Sequence, residues 1–266
     1  MVTDQTINAG EVPLRYRDYG GSGHPLVLLH GAGADRTSWD AVGPPLAESY
    51  RTVAVDLRGH GESGDGLWSW EEVLDDLEAV VAALGMARPA MVGHSVGGLL
   101  AARWTRRHLD CPAAASLDGH RVAGTQTSDL GTDTDDDVVA LSDGFTAWFD
   151  AAFAQHESRL RSAQAAASAA ARAAIAADNF TSLQGLSVPF LMVVAESSGP
   201  HVPAEWEPLT AAFRAGLWRD LHALAGAQPS IELRPIDASH GMLYEAPQET
   251  VGIVADFLGR TLATSH

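Results

Sequence analysis

Apolar runs and helical periodicities alternate along most of the chain. Residues 25–29, Pro-Leu-Val-Leu-Leu, form a continuous apolar run, the pattern of a strand buried on both faces. Residues 52–55 and 188–194 repeat it, with shorter versions before Gly93, at 113–118 and at 231–236. Between these runs, residues 36–48 predict a modest helix containing Trp39. Trp70, Val73, Leu74, Leu77, Val80 and Val81 predict an amphipathic helix over 69–84. A last amphipathic stretch spans about 247–262. Strand and helix in repeated alternation predict a mostly parallel sheet covered by helices on both faces. Residues 1–20 differ: Val12, Leu14 and Tyr16 alternate with Pro13, Arg15 and Arg17, which predicts an antiparallel hairpin. Pro13 would confine that segment to a sheet edge.

From about 119 to 187 the strand pattern stops. An acidic segment, Ser128 to Asp137, precedes Phe145, Trp148, Phe149 and Phe153 at helical spacing. An alanine-dominated run follows from Ala163 to Ala177. The domain organisation expected is therefore a core of residues 1–118 and 188–266, interrupted by a helical cap over 119–187.

Composition narrows the class. At 266 residues the chain can bury one large α/β core. A net charge of −17 argues against nucleic acid and anionic membranes as partners. No apolar run is long enough to span a bilayer, the first residues lack the pattern of a secretory signal, and the single cysteine, Cys111, has no internal partner. These features point to a cytoplasmic protein. Asp133 to Asp137 faintly suggests a calcium loop, but Val138 and Gly144 stand where glycine and glutamate would be required. No metal and no organic cofactor is expected.

The candidate chemistry centres on Gly93-His94-Ser95-Val96-Gly97, a G-x-S-x-G sequence between a predicted strand and a predicted helix. Small residues at 93 and 97 permit a sharp turn that projects the Ser95 hydroxyl. The helix that follows aims its positive end at the site, and the Val96 N–H can donate to a developing oxyanion. With His30-Gly31-Ala32-Gly33, the segment Asp56 to Gly64, and Ser239-His240-Gly241, these residues resemble the α/β-hydrolase fold superfamily. The likeness covers broadly 25–118 and 188–260 and leaves the cap unmatched. It implies an eight-stranded-type sheet and a Ser-His-acid triad, with Ser95 as nucleophile and His240 as base. The Ala32 and Val96 N–H groups would form an oxyanion hole. A serine at 95 argues against the dehalogenase and epoxide-hydrolase branches, which use aspartate.

The acid departs from the family's commonest pattern, because Ser198 stands where aspartate is expected. Asp118, at a strand end, and Glu196, two residues early, both satisfy the order Ser, acid, His, and Asp118 is preferred. His30, Gly31, His94, Trp148 and Met242 are expected around a substrate pocket, with His60 and His120 nearby. Together these features suggest cleavage of an ester or lactone of a hydrophobic small molecule. A C–C bond hydrolase or cyclase on the same residues, and a non-hydrolytic small-molecule receptor, are the alternatives. Oligomeric state is not legible.

Overall fold

One sheet of eight strands organises the chain, in the order β1-β2-β4-β3-β5-β6-β7-β8. The computed structural model describes residues 2–8, 10–121, 127–178 and 180–263. The strands are β1 (Thr3–Ile7), β2 (Leu14–Gly20), β3 (Pro25–Leu29), β4 (Arg51–Val55), β5 (Ala90–His94), β6 (Ala114–Leu117), β7 (Phe190–Ala195) and β8 (Ile231–Ile236). From β4 to β8 every neighbouring pair is parallel, whereas β2 pairs antiparallel with both β1 and β4. The sheet is thus mixed, with its parallel part where the apolar runs predicted it.

Those runs are fully apolar because both faces are covered, and alternate residues divide between two cores. Val27, Leu29, Val53, Val55, Met91, Phe190 and Met192 face one side. There they meet α2 (Trp70–Ala83), α3 (Val96–Arg107) and α7 (Glu207–Ala227). Leu26, Leu28, Ala54, Val92, Leu117, Leu191 and Val193 face the other, against α1 (Gly43–Ala47), α8 (Met242–Glu245) and α9 (Pro247–Ala263). Helix α2 starts where its sequence says it should: Ser69 Oγ accepts the Glu72 N–H at 3.3 Å, and Glu71 and Glu72 occupy the positive first turn.

Two local expectations need correction. The predicted helix over 36–48 is split into a 3-10 turn (Arg36–Trp39) and the short α1, because Pro44 and Pro45 can only open a helix. Pro13 does not mark a sheet edge. It precedes β2, which is flanked on both sides, and β1 is the edge strand.

Between β6 and β7 the chain forms α4 (Asp136–Val139), α5 (Ser142–Glu157) and α6 (Ser162–Asp178). Of the expected 119–187 segment, residues 122–126 and 179 lie outside the described residues. Glu157 ties α5 to α6 through Ser168 Oγ at 3.0 Å and Arg172 Nε at 3.2 Å. Asp178 ties α6 to α3 through Arg103 at 2.9 Å. Gln164 Nε2 reaches the Gly33 carbonyl at 3.5 Å, so α6 lies over the loop that follows β3. Among the described residues no helix is long and apolar enough to cross a membrane.

Helix α3 can approach the sheet only because its first turn is small. A Cβ on Gly97 would lie 2.3 Å from the Leu29 carbonyl oxygen and 2.8 Å from that of His30, both rigid backbone atoms. Gly97→Ala is expected to cost about 3 kcal/mol in urea denaturation. Gly252, exposed in α9 with open space around it, is the contrast: Gly252→Ala should add about 0.5–1 kcal/mol. Equal effects at the two sites would contradict the packing described here.

Candidate active site

Ser95 connects β5 directly to α3 with φ 55° and ψ −122°, a conformation that a residue with a Cβ rarely adopts. Its N–H is tied to the Leu117 carbonyl at 2.9 Å. Gly93 makes the turn possible, since a Cβ there would lie 1.9 Å from the Gly97 carbonyl oxygen. Ser95 Oγ has no hydrogen-bond partner among the described residues and is half-buried. The strained turn therefore presents a hydroxyl at the C-terminal edge of the parallel strands, at the positive end of a twelve-residue helix.

Four residues other than glycine have positive φ among the described residues, and Asp118, with φ 52°, is another of them. It follows β6 immediately. Its N–H bonds the Val193 carbonyl at 2.8 Å, and its Oδ1 accepts the Ala195 N–H at 3.0 Å. Oδ2 accepts from His240 Nδ1 at 2.7 Å, across 122 residues of sequence. Oδ1 also accepts from His120 Nε2 at 2.9 Å. Burial alone would push this carboxyl up. The His120 and His240 rings and their hydrogen bonds outweigh burial and hold it well below the usual carboxylate range. With Nδ1 committed to Asp118, His240 has Nε2 free, and its side chain is 56% exposed, open to a ligand. Among the described residues no hydrogen bond joins it to Ser95.

The loop after β3 closes the other side. A Cβ on Gly31 would lie 3.1 Å from Ser95 Cβ, which measures how closely the loop passes the serine. The N–H groups of Ala32 and Val96 have no hydrogen-bond partner among the described residues. His30 fixes this loop from beneath. Its Nε2 accepts the Leu57 N–H at 3.0 Å, so the proton sits on Nδ1, which donates to the Gly31 carbonyl at 2.7 Å. Burial pushes this ring down to about 4. His94 donates through Nε2 to the backbone carbonyl of His240 at 2.8 Å, and the two rings are 4.5 Å apart. It thus joins the serine turn to the histidine loop. Burial, with the neighbouring His240 ring, pushes it down to about 3. His60, 5.2 Å from His30 between ring centres, is pushed down to about 4 by burial.

The other candidates lie elsewhere. Glu196 is exposed, and its side chain has no hydrogen-bond partner among the described residues. Ser198 is turned toward α7, where Thr210 Oγ1 at 2.8 Å and Arg214 engage its hydroxyl. Trp148 is half-buried in an aromatic cluster, 5.7 Å from Phe145 and 6.5 Å from Trp206 between ring centres. Met242, expected at the pocket wall, is instead fully enclosed in the second core with Leu243 and Val254, because it opens α8 on its inner face. One residue of the site had no motif to mark it. Glu245 accepts the Ser239 N–H at 2.8 Å and the Ser239 hydroxyl at 2.7 Å, and so braces the turn that carries His240. Among the described residues no group of three or more His, Cys, Asp or Glu could hold a metal ion.

A serine on a strand-turn-helix junction, with a nearby histidine loop bonded to a strand-end carboxylate, is a nucleophile-elbow arrangement. The chain belongs to the alpha/beta hydrolase fold family, whose model matches residues 24–247. Solved structures agree in fold. The E-2-(acetamidomethylene)succinate hydrolase aligns with a TM-score of 0.68 at 18% identity, covering 97% of this chain and all of that one. The enol-lactonase of Burkholderia xenovorans gives 0.68 at 22%, covering 96% and 100%. Among curated proteins, the N-formylmaleamate deformylase of Pseudomonas putida is 31% identical over 106 residues, 39% of this chain and 40% of that protein. The soluble epoxide hydrolase of a Corynebacterium species is 39% identical over 83 residues, 30% and 29% of the two chains. The chain thus matches less than half the length of these curated relatives.

Three depressed histidines give stability a definite pH dependence. His30, His60 and His94 stay neutral in the folded state down to about 4, 4 and 3, whereas the unfolded chain takes up their protons near the ordinary value of about 6.5. Their contribution is complete above that value and is lost as pH falls through the folded values. The melting temperature should fall between pH 6.5 and 4, and His94→Gln, with one such group fewer, should fall less steeply. Parallel profiles for the two proteins would contradict the burial of a neutral His94.

Proposed function

We propose that the chain is a serine hydrolase that cleaves an ester or lactone bond of a hydrophobic small molecule. Ser95 Oγ attacks the carbonyl carbon while His240 Nε2 takes its proton. Asp118 keeps the Nδ1 proton in place and stabilises the imidazolium that forms. The Ala32 and Val96 N–H groups receive the developing oxyanion. The imidazolium then protonates the leaving oxygen, and water, deprotonated by His240, releases the acyl group from Ser95. One observation supports this above all others: His240 is bonded through Nδ1 to a buried carboxylate, with Nε2 free, beside a strained serine turn.

The substrate class has separate support. The helical segment 119–187, read as a cap, packs Phe145, Trp148 and Phe149 together and against Trp206, and this apolar composition favours an uncharged ring or chain as substrate. The likeness to an enol-lactonase and to a deformylase favours attack at a carbonyl. A serine nucleophile disfavours the epoxide chemistry named for the Corynebacterium relative, since displacement at an sp3 carbon by a carboxylate gives an ester that water can cleave, whereas displacement by a serine gives an ether that it cannot.

Fluorophosphonate labelling with peptide mapping tests the assignment, followed by turnover of a panel of esters and lactones. Rapid modification at Ser95 is expected, together with a loss of about a thousandfold in Asp118→Asn and little change in Glu196→Gln. Adding Ser198→Asp to Asp118→Asn should restore nothing, because Arg214 holds position 198 toward α7. Slow labelling in Glu196→Gln alone, or recovery in the double variant, would move the acid away from Asp118. A folded chain with an inert Ser95 would count against hydrolysis altogether.

A further inference from the structure

Asp118 is gripped by two histidines rather than one, and the second has an unusual pair of partners. His120 Nε2 lies 2.9 Å from Asp118 Oδ1, and its Nδ1 lies 2.7 Å from the Arg121 backbone carbonyl oxygen. A carboxylate and a carbonyl oxygen only accept, so each bond needs an N–H on the ring. A neutral imidazole supplies one, and an imidazolium supplies two. Both bonds at once therefore require the doubly protonated ring. We propose that His120 is a positioning residue held as an imidazolium, which clamps Asp118 from the side opposite His240 and divides the carboxylate's charge between two rings. This rests on the reading of His240 as the base of a Ser95-centred site.

The surroundings support a charged ring. His120 is 10% exposed and Asp118 8%, so their attraction is little screened by solvent. Burial acts to expel the proton. The Asp118 charge, the bond to it and the bond to the Arg121 carbonyl outweigh burial and raise the ring above the ordinary histidine value. The Arg121 guanidinium opposes this, but it is engaged at 2.6 Å by Asp220 of α7 and at 3.4 Å by Asp129. His240 faces the pair across the carboxylate and His94, kept neutral, lies behind it.

The consequence falls on His240. A general base must be neutral to accept a proton, and an undivided Asp118 charge would hold His240 protonated to higher pH. With His120 carrying a positive charge, part of the attraction between Asp118 and a His240 imidazolium is cancelled. His120→Asn keeps an N–H donor toward Asp118 and removes the charge. It should raise the midpoint of His240 protonation, and with it the acid limb of kcat/KM, by about one pH unit.

The test is a pH titration of ring nitrogen-15 signals in the intact chain, with His120 assigned by through-bond correlations in the isotopically labelled wild-type protein. Both ring nitrogens of His120 protonated at pH 7.5, and a His240 midpoint that rises in the variant, are the expected results. A neutral His120 tautomer at pH 7.5 in the wild-type chain would overturn the proposal even if the variant failed to fold. So would an unchanged His240 midpoint in a folded variant. These readouts do not need turnover: a shifted midpoint in a chain that hydrolyses nothing would sink the hydrolase reading and leave the clamp standing.

Discussion

A carboxylate taken out of water needs compensation, and at Asp118 that compensation builds the site. The charge lies between the ends of β6 and β7, where Ala195 N–H, His120 and His240 satisfy its two oxygens. Left with fewer partners, a buried charge would cost several kcal/mol and would regain a proton instead. With them it fixes the orientation of His240 through one ring nitrogen, beside the His94 ring. The histidine can then stay open to a ligand while remaining oriented, which a purely packed imidazole could not.

The backbone around it is arranged to the same end. Ser95 and Asp118 both have positive φ, and they are tied in sequence along adjacent strand ends, Ser95 N–H to the Leu117 carbonyl and Asp118 N–H to that of Val193. Strain of this kind persists only when neighbouring contacts over-determine it. Here the parallel register of β5, β6 and β7 does so. His94 and Glu245 then attach the distant histidine loop to this frame, one through the His240 carbonyl and the other through Ser239. Two elements far apart in sequence are thereby held at hydrogen-bonding precision.

Much of this was legible in the sequence, for physical reasons. Continuous apolar runs marked the strands because both faces of a parallel sheet are buried. The serine turn was legible because a sharp strand-to-helix junction demands small residues at fixed offsets. What the pattern could not carry was the interplay of distant residues. Helix α7 buries Leu209, Phe213, Leu217 and Leu221 at four-residue spacing, but the alanines, Trp218 and Leu224 around them blur that stripe in the sequence. Pro44 and Pro45 split a predicted helix that periodicity alone would join. Asp118 and Glu196 both satisfied the order of the triad, the strand-end position favoured Asp118, and three-dimensional placement separates the bonded carboxylate from the exposed one. His120 and Glu245 lacked any motif, since their partners are an adjacent backbone carbonyl, a carboxylate two residues away and a turn six residues away.

The central claim is that Ser95, His240 and Asp118 act as one unit. Members of a unit lose function together, so their removals do not multiply. The most direct measurement is the rate of Ser95 modification by a fluorophosphonate in His240→Ala, Asp118→Ala and the double variant. If Asp118 acts only through His240, the double variant should react no more slowly than His240→Ala alone. A double-variant rate reduced by the product of the two single losses would mean that the carboxylate and the histidine act independently, and would contradict the account.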